Sequence, residues 1–146
     1  MSYSLDVNVL LYASDRSSDR HDAARRFLDA AAANPEPFYL AWPTLMAYVR
    51  MATHSGIFAA PLSPAEAFGN VGALLALPQV RPVSELDGFV DAYAHVTSGL
   101  VVRGNLVPDA HLAAILFQHG VSTLYSSDRD FLKFPTLELR DPLAER

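Results

Sequence analysis

Short apolar runs alternate with helix-length stretches along the whole chain, and this alternation constrains the fold more than any other feature. Ser2–Leu5, Phe38–Ala41, Val80–Pro82, Val121–Tyr125 and Leu137–Leu139 are strand-length. Val7–Ala13 reads as one or two helical turns. In Arg20–Ala33, Ala23, Phe27, Ala30 and Ala31 fall near helical spacing, and Asn34-Pro35-Glu36-Pro37 stops the helix. Pro43 opens a helix to about His54, with Gly56 beyond it. Ser63-Pro64-Ala65-Glu66 has the form of a capping box and predicts a helix to about Leu77, before Pro78. Glu85–Ser98 and Pro108–His119 complete the helices, the latter closed by Gly120. Strands that alternate with helices predict an α/β fold with a parallel sheet covered on both faces.

At 146 residues, 51% of them apolar, the chain suits a single domain spanning 1–146 with a sizeable buried core. It has no cysteine, which excludes a disulfide scaffold, a thiolate zinc site and a cysteine nucleophile. No apolar run is long enough to cross a bilayer, and the start lacks a basic-then-apolar leader, so the expected location is cytoplasmic. Eleven basic and sixteen acidic side chains give a net charge of −5, which argues against a broad basic face for duplex nucleic acid. Eleven of the acidic residues are aspartate, a type suited to caps, turns and metal sites. Ten of the basic residues are arginine, and Lys133 is the single lysine.

Three aspartates fall at comparable places. Asp6 follows the first strand, Asp109 lies in the first turn of a helix, and Asp128 follows the strand Val121–Tyr125. In an open parallel sheet, strand C-termini and helix N-termini share one edge, and ligands bind in the crevice outside it. Asp109 heads the helix face of Leu112, Ala113 and Leu116, so it points toward that edge. Each aspartate alone is ordinary capping chemistry, but capping does not require all three to converge. Crowded carboxylates repel and raise one another's pKa unless a cation is present. A hard divalent cation such as Mg²⁺ relieves this, and with phosphate as substrate the reaction implied is metal-assisted hydrolysis of a phosphodiester.

At these residues the chain resembles a known family. Asp6-Val7-Asn8-Val9-Leu10-Leu11-Tyr12-Ala13, Gly104–Ala114 with Pro108-Asp109-Ala110-His111, and His119-Gly120-Val121 carry the resemblance. So do Ser126-Ser127-Asp128-Arg129-Asp130-Phe131, Phe134-Pro135 and Asp141-Pro142-Leu143. Together they are similar to the PIN-domain family and, within it, the VapC toxins of toxin–antitoxin pairs; Trp42–Phe58, with Arg50 and Thr53, is similar to a subgroup of them. The resemblance implies a three-layer α/β/α PIN-like sandwich with a mainly parallel sheet. It also implies an Mg²⁺- or Mn²⁺-dependent endoribonuclease acting on tRNA or rRNA, a homodimer, and inhibition by a VapB-like antitoxin. By the same resemblance, Asp6, Asp109 and Asp128 are the catalytic and metal-binding residues, with Asp130 as a supporting carboxylate. Asn8, Ser126 and Ser127 are candidates to orient the water or the carboxylates by hydrogen bonds, and Arg50 is a candidate phosphate contact. One departure stands out. Many PIN domains carry a glutamate three residues before an arginine like Arg50, and here that position is Ala47.

Several alternatives stay open at this stage. Arg50 is either a phosphate clamp or a structural ion pair. Trp42, Phe38 and Tyr39 read as packing the second strand and a core or dimer surface, with base stacking as the alternative for Trp42; His111 reads as a surface residue and His119 as a helix end. A phosphoaspartate fold also ends its first strand in aspartate, but Lys133 does not sit where such a fold needs its lysine. The substitution at Ala47 leaves room for a catalytically degraded PIN domain that only binds its antitoxin.

Overall fold

The chain builds its sheet outward from a short central strand whose three residues are all buried. In the computed structural model, which describes residues 2–144, this strand is β1 (Tyr3–Leu5). It is followed by α1 (Val7–Ser14), α2 (His21–Ala33), β2 (Phe38–Ala41), α3 (Trp42–Ala52), α4 (Pro64–Leu75) and β3 (Val80–Val83). Then come α5 (Phe89–Val96), α6 (Leu106–Gln118), β4 (Thr123–Tyr125), a 3-10 helix (Arg129–Lys133) and β5 (Glu138–Arg140). Residue 1 and residues 145–146 of the expected 1–146 unit lie outside the described residues.

All strand pairs are parallel, in the order β3-β2-β1-β4-β5. A parallel strand inside two helical layers needs apolar side chains on both faces. Ser4, fully buried in β1, meets that demand by donating its hydroxyl to the Tyr39 carbonyl of the next strand. Pro82 is accommodated because β3 is an edge strand, where a missing N–H breaks no ladder. Two apolar layers cover the sheet. One packs Leu5, Leu10, Phe38, Leu40, Leu45 and Val71 between the sheet and α1–α4. The other packs Ala113, Ile115, Leu116, Leu124, Phe131 and Phe134 beneath α6 and the 3-10 helix. The result is the three-layer α/β/α sandwich expected from the sequence. Among the described residues, no helix is long and apolar enough to cross a membrane.

Several boundaries shift for local reasons. The capping box forms as expected: Ser63 Oγ accepts from the Glu66 N–H, and Glu66 Oε1 accepts from the Ser63 N–H, both at 3.1 Å. α6 begins at Leu106, not Pro108, because the first four amides of a helix need no intrahelical acceptor and a third-position proline is harmless. α5 begins at Phe89, not Glu85, because Gly88 adopts φ +82° and interrupts helical geometry. β4 starts at Thr123, not Val121, because the Val121 N–H is taken by the Leu116 carbonyl in closing α6. Leu124→Ala, which opens a cavity in a fully buried site, is expected to cost about 2–5 kcal/mol. Ser63→Ala is expected to cost about 1 kcal/mol. Urea unfolding of the two variants measures both.

Candidate metal centre

The strand order reverses direction at β1: β2 and β3 are laid down on one side, β4 and β5 on the other. Such a switch point opens a crevice at the C-terminal ends of the two strands. Asp6 ends β1 there. Its backbone N–H bonds the Tyr125 carbonyl at 3.0 Å, and it caps α1 through Oδ1, which accepts from the Val7 N–H at 2.7 Å.

Ser126 follows β4 and is fully buried. Its hydroxyl donates to Asp6 Oδ2 at 2.8 Å and accepts from the Asp128 N–H at 3.0 Å. Asp128 in turn caps the 3-10 helix, its Oδ1 accepting from the Asp130 N–H at 2.9 Å. Asp109 arrives from across the crevice on the first turn of α6, and the Leu112, Ala113 and Leu116 face behind it is buried as the spacing required.

Carboxylate oxygens of Asp109, Asp128 and Asp130 lie within 4.8 Å of one another. Burial pushes the Asp109 carboxyl up to about 7, aided by the negative charges of Asp128, Asp6 and Asp130, with only Lys133 pulling it back. Burial also raises Asp6, while its bonds from Ser126 and Val7 restrain the rise. The tight trio therefore contains Asp130, and Asp6 stands behind it, engaged by hydrogen bonds on both oxygens. Asp130 supplies a third close carboxylate in a site where Ala47 supplies none. The sequence offered one signal for this: Asp128 and Asp130 are two apart in a segment too short for a full helix.

The donor set is all oxygen, and the charges of Asp128, Asp6 and Asp130 raise the proton affinity of Asp109. Both properties fit a hard divalent cation, so the cluster can hold one.

The other expected residues are more dispersed. Asn8, in the first turn of α1, and Ser127 are half-buried beside the centre in sequence. Arg50 is exposed in the last turn of α3 and makes no ion pair among the described residues. Phe38 is buried, whereas Trp42, expected to pack, remains 38% exposed. His119 closes α6 as the sequence predicts, and both it and His111 have partners that the spacing does not reveal. His111 bonds the Glu85 carboxylate, and His119 Nε2 contacts the Ser84 carbonyl at 2.8 Å. Both partners lie in the segment between β3 and α5, too far along the chain for spacing to reveal.

A parallel α/β sandwich with carboxylates gathered at its switch point defines a class of small acidic-centre proteins. Within that class, the chain belongs to the PIN-domain family, whose model matches residues 3–137. It is similar to Ribonuclease VapC48 of Mycobacterium tuberculosis, with 42% identity over 99% of each chain. It is also similar to Ribonuclease VapC37 of the same organism, with 36% identity over 96% of each. Among solved structures, VapBC2 from Rickettsia felis bound to a promoter DNA fragment superposes with a TM-score of 0.69 at 16% identity, covering 97% of this chain and 98% of that one. Mycobacterium tuberculosis VapC20, described as a sarcin-ricin loop cleaving toxin, gives 0.64 at 16% identity, covering 93% and 98%. At such identities the two structures share the fold.

The raised Asp109 value fixes the sign of a pH effect. Its folded value, about 7, exceeds the ordinary 3.8, so the folded protein holds this proton more tightly than the unfolded chain does. The destabilisation from ionising Asp109 is therefore absent below about pH 4, grows as pH rises toward 7, and is complete above it. In EDTA, Asp109→Asn is expected to melt higher than the parent protein above pH 7 and equally at pH 4. Each kcal/mol relieved is worth roughly 2–4 °C. Melting curves across pH measure it. Ser126→Ala, which strips a buried donor from Asp6 and an acceptor from the Asp128 N–H, is expected to cost about 1–3 kcal/mol.

Proposed function

We propose that this chain is the toxin of a toxin–antitoxin pair, a VapC-type endoribonuclease that hydrolyses phosphodiester bonds of tRNA or rRNA in the cytoplasm. It works as one PIN-type unit over 1–146, as a homodimer, and is restrained by a VapB-like antitoxin. The observation that carries the reading is the convergence of Asp109, Asp128 and Asp130, with Asp6 behind them, in a chain similar over nearly its whole length to named ribonucleases.

Mg²⁺, with Mn²⁺ as its substitute, is the proposed ion, held by Asp109 and Asp6 with Asp128 completing the set and Asp130 in support. When bound, such an ion supplies Lewis acidity, lowering the pKa of water and neutralising charge that builds on a phosphate. The chain's own residues do the rest. Ser126 holds Asp6 and the Asp128 backbone in fixed register, so two carboxylates from distant segments meet the substrate as one surface. Asn8 and Ser127, beside the centre in sequence, orient the water and the carboxylates. Asp109 must shed its proton before it can serve as an ionised donor, so cation affinity rises with pH up to about 7. Arg50, exposed and without an ion pair among the described residues, clamps a phosphate.

Ala47 is the specific observation that favours a second reading, a PIN module that binds its antitoxin without cutting RNA. Purified protein incubated with a tRNA and rRNA pool separates the two. Site-specific ends that require Mg²⁺ or Mn²⁺ and vanish with EDTA are expected. Asp109→Asn and Asp128→Asn are each expected to lower cleavage by at least ~100-fold, the scale of losing one electrostatic element of such a site, while circular dichroism stays unchanged. Full activity in Asp109→Asn overturns the assignment; tight antitoxin binding with no cleavage at all supports the second reading.

A further inference from the structure

Lys133 is the only lysine in a chain with ten arginines, and the scheme above gives it no task. It closes the 3-10 helix Arg129–Lys133. That helix repeats every three residues, which brings Lys133 to the same side as Asp130. Its Nζ lies 3.5 Å from Asp130 Oδ1, and the two side chains are 53% and 58% exposed. This is longer than a charge-assisted hydrogen bond, about 2.7–2.9 Å, and an exposed pair of this kind contributes little to stability. Asp130 is in turn a member of the trio of carboxylates. The ammonium therefore sits at the rim of the centre, loosely held, on a flexible four-carbon stem with three donors.

The charges make this placement consequential. Asp6, Asp109, Asp128 and Asp130, when ionised, and one ammonium leave three net negative charges, a surface that repels RNA. A divalent cation lowers that to one and gives Asp130 a second partner of positive charge. The hold of Asp130 on the ammonium is then weaker, beside the point where a phosphate must arrive. We propose that Lys133 is a substrate-binding residue, resting against Asp130 while the centre is bare and turning to a non-bridging oxygen of an RNA phosphate next to the scissile bond once a cation holds the carboxylates. This rests on the ribonuclease reading given above.

The test measures binding as well as turnover. Bulk tRNA serves as the probe, with Ca²⁺ added in place of Mg²⁺ and affinity followed across a salt series. Lys133→Met is expected to weaken tRNA binding about 10-fold at low salt and to reduce the slope of log affinity against log salt by about 0.7, the loss of one single-strand phosphate contact. Lys133→Arg is expected to restore both. Arg25→Met, an equal charge loss on α2 where Arg25 pairs with Asp29, is expected to leave the slope unchanged. With Mg²⁺, Lys133→Met is expected to raise KM about 10-fold with kcat little altered. Unchanged affinity and slope in Lys133→Met, while the parent protein binds tRNA normally, overturns the assignment of Lys133 alone. A folded parent protein that neither binds nor cuts tRNA removes the ribonuclease reading, and this proposal with it.

Discussion

The hydroxyl of Ser126 is the interaction on which the acidic centre depends. It faces two ways, donating to Asp6 at the end of the central strand and accepting from the backbone of Asp128. Its own N–H is anchored on the Arg140 carbonyl, which brings the last strand into the same junction. Three neighbouring strands thus meet at one buried serine. Without that donor, Asp6 would face burial and the negative field of Asp128 with only the Val7 amide in compensation. The two faces of the sandwich are tolerant, since apolar packing accepts substitutions of similar volume. The junction is not, because a buried donor or acceptor with no partner carries the whole cost of its desolvation.

Much of this was legible in the chain beforehand, for identifiable reasons. The alternation of short apolar runs and helices specified a parallel sheet because βαβ units leave few other arrangements. Asp109 could be placed because the apolar stripe behind it fixed the direction of its side chain. Asp6 and Asp128 could be placed because strand ends and following turns share the same edge. Asp130 was harder to rank. Whether it joins the carboxylates depends on the pitch of a five-residue 3-10 helix, which leaves no periodic trace in sequence. The partners of His111 and His119 were invisible for another reason, since they come from the segment before α5, 26 and 35 residues away.

The acidity of the chain has a different meaning once its distribution is known. A net charge of −5 opposes RNA everywhere except where charge can be reversed locally. The carboxylates at the switch point are the candidate for such a place, because a divalent ion held by them would offset most of their negative charge over a few ångströms.

The hydrogen bond between Asp6 and Ser126 also spans 120 residues of sequence. Closing a loop of that length carries an entropic cost before any contact can repay it, and topologies dominated by distant pairings fold slowly. During synthesis the central strand leaves the ribosome first, yet it gains its β4 neighbour only near the end. A nascent chain short of Ser126 holds Asp6 and Asp109 at a half-built edge and lacks the segment that supplies Asp128 and Asp130. The order of translation therefore acts as a timer: the acidic centre is complete only once Asp130 has been added, and no shorter amino-terminal fragment contains it.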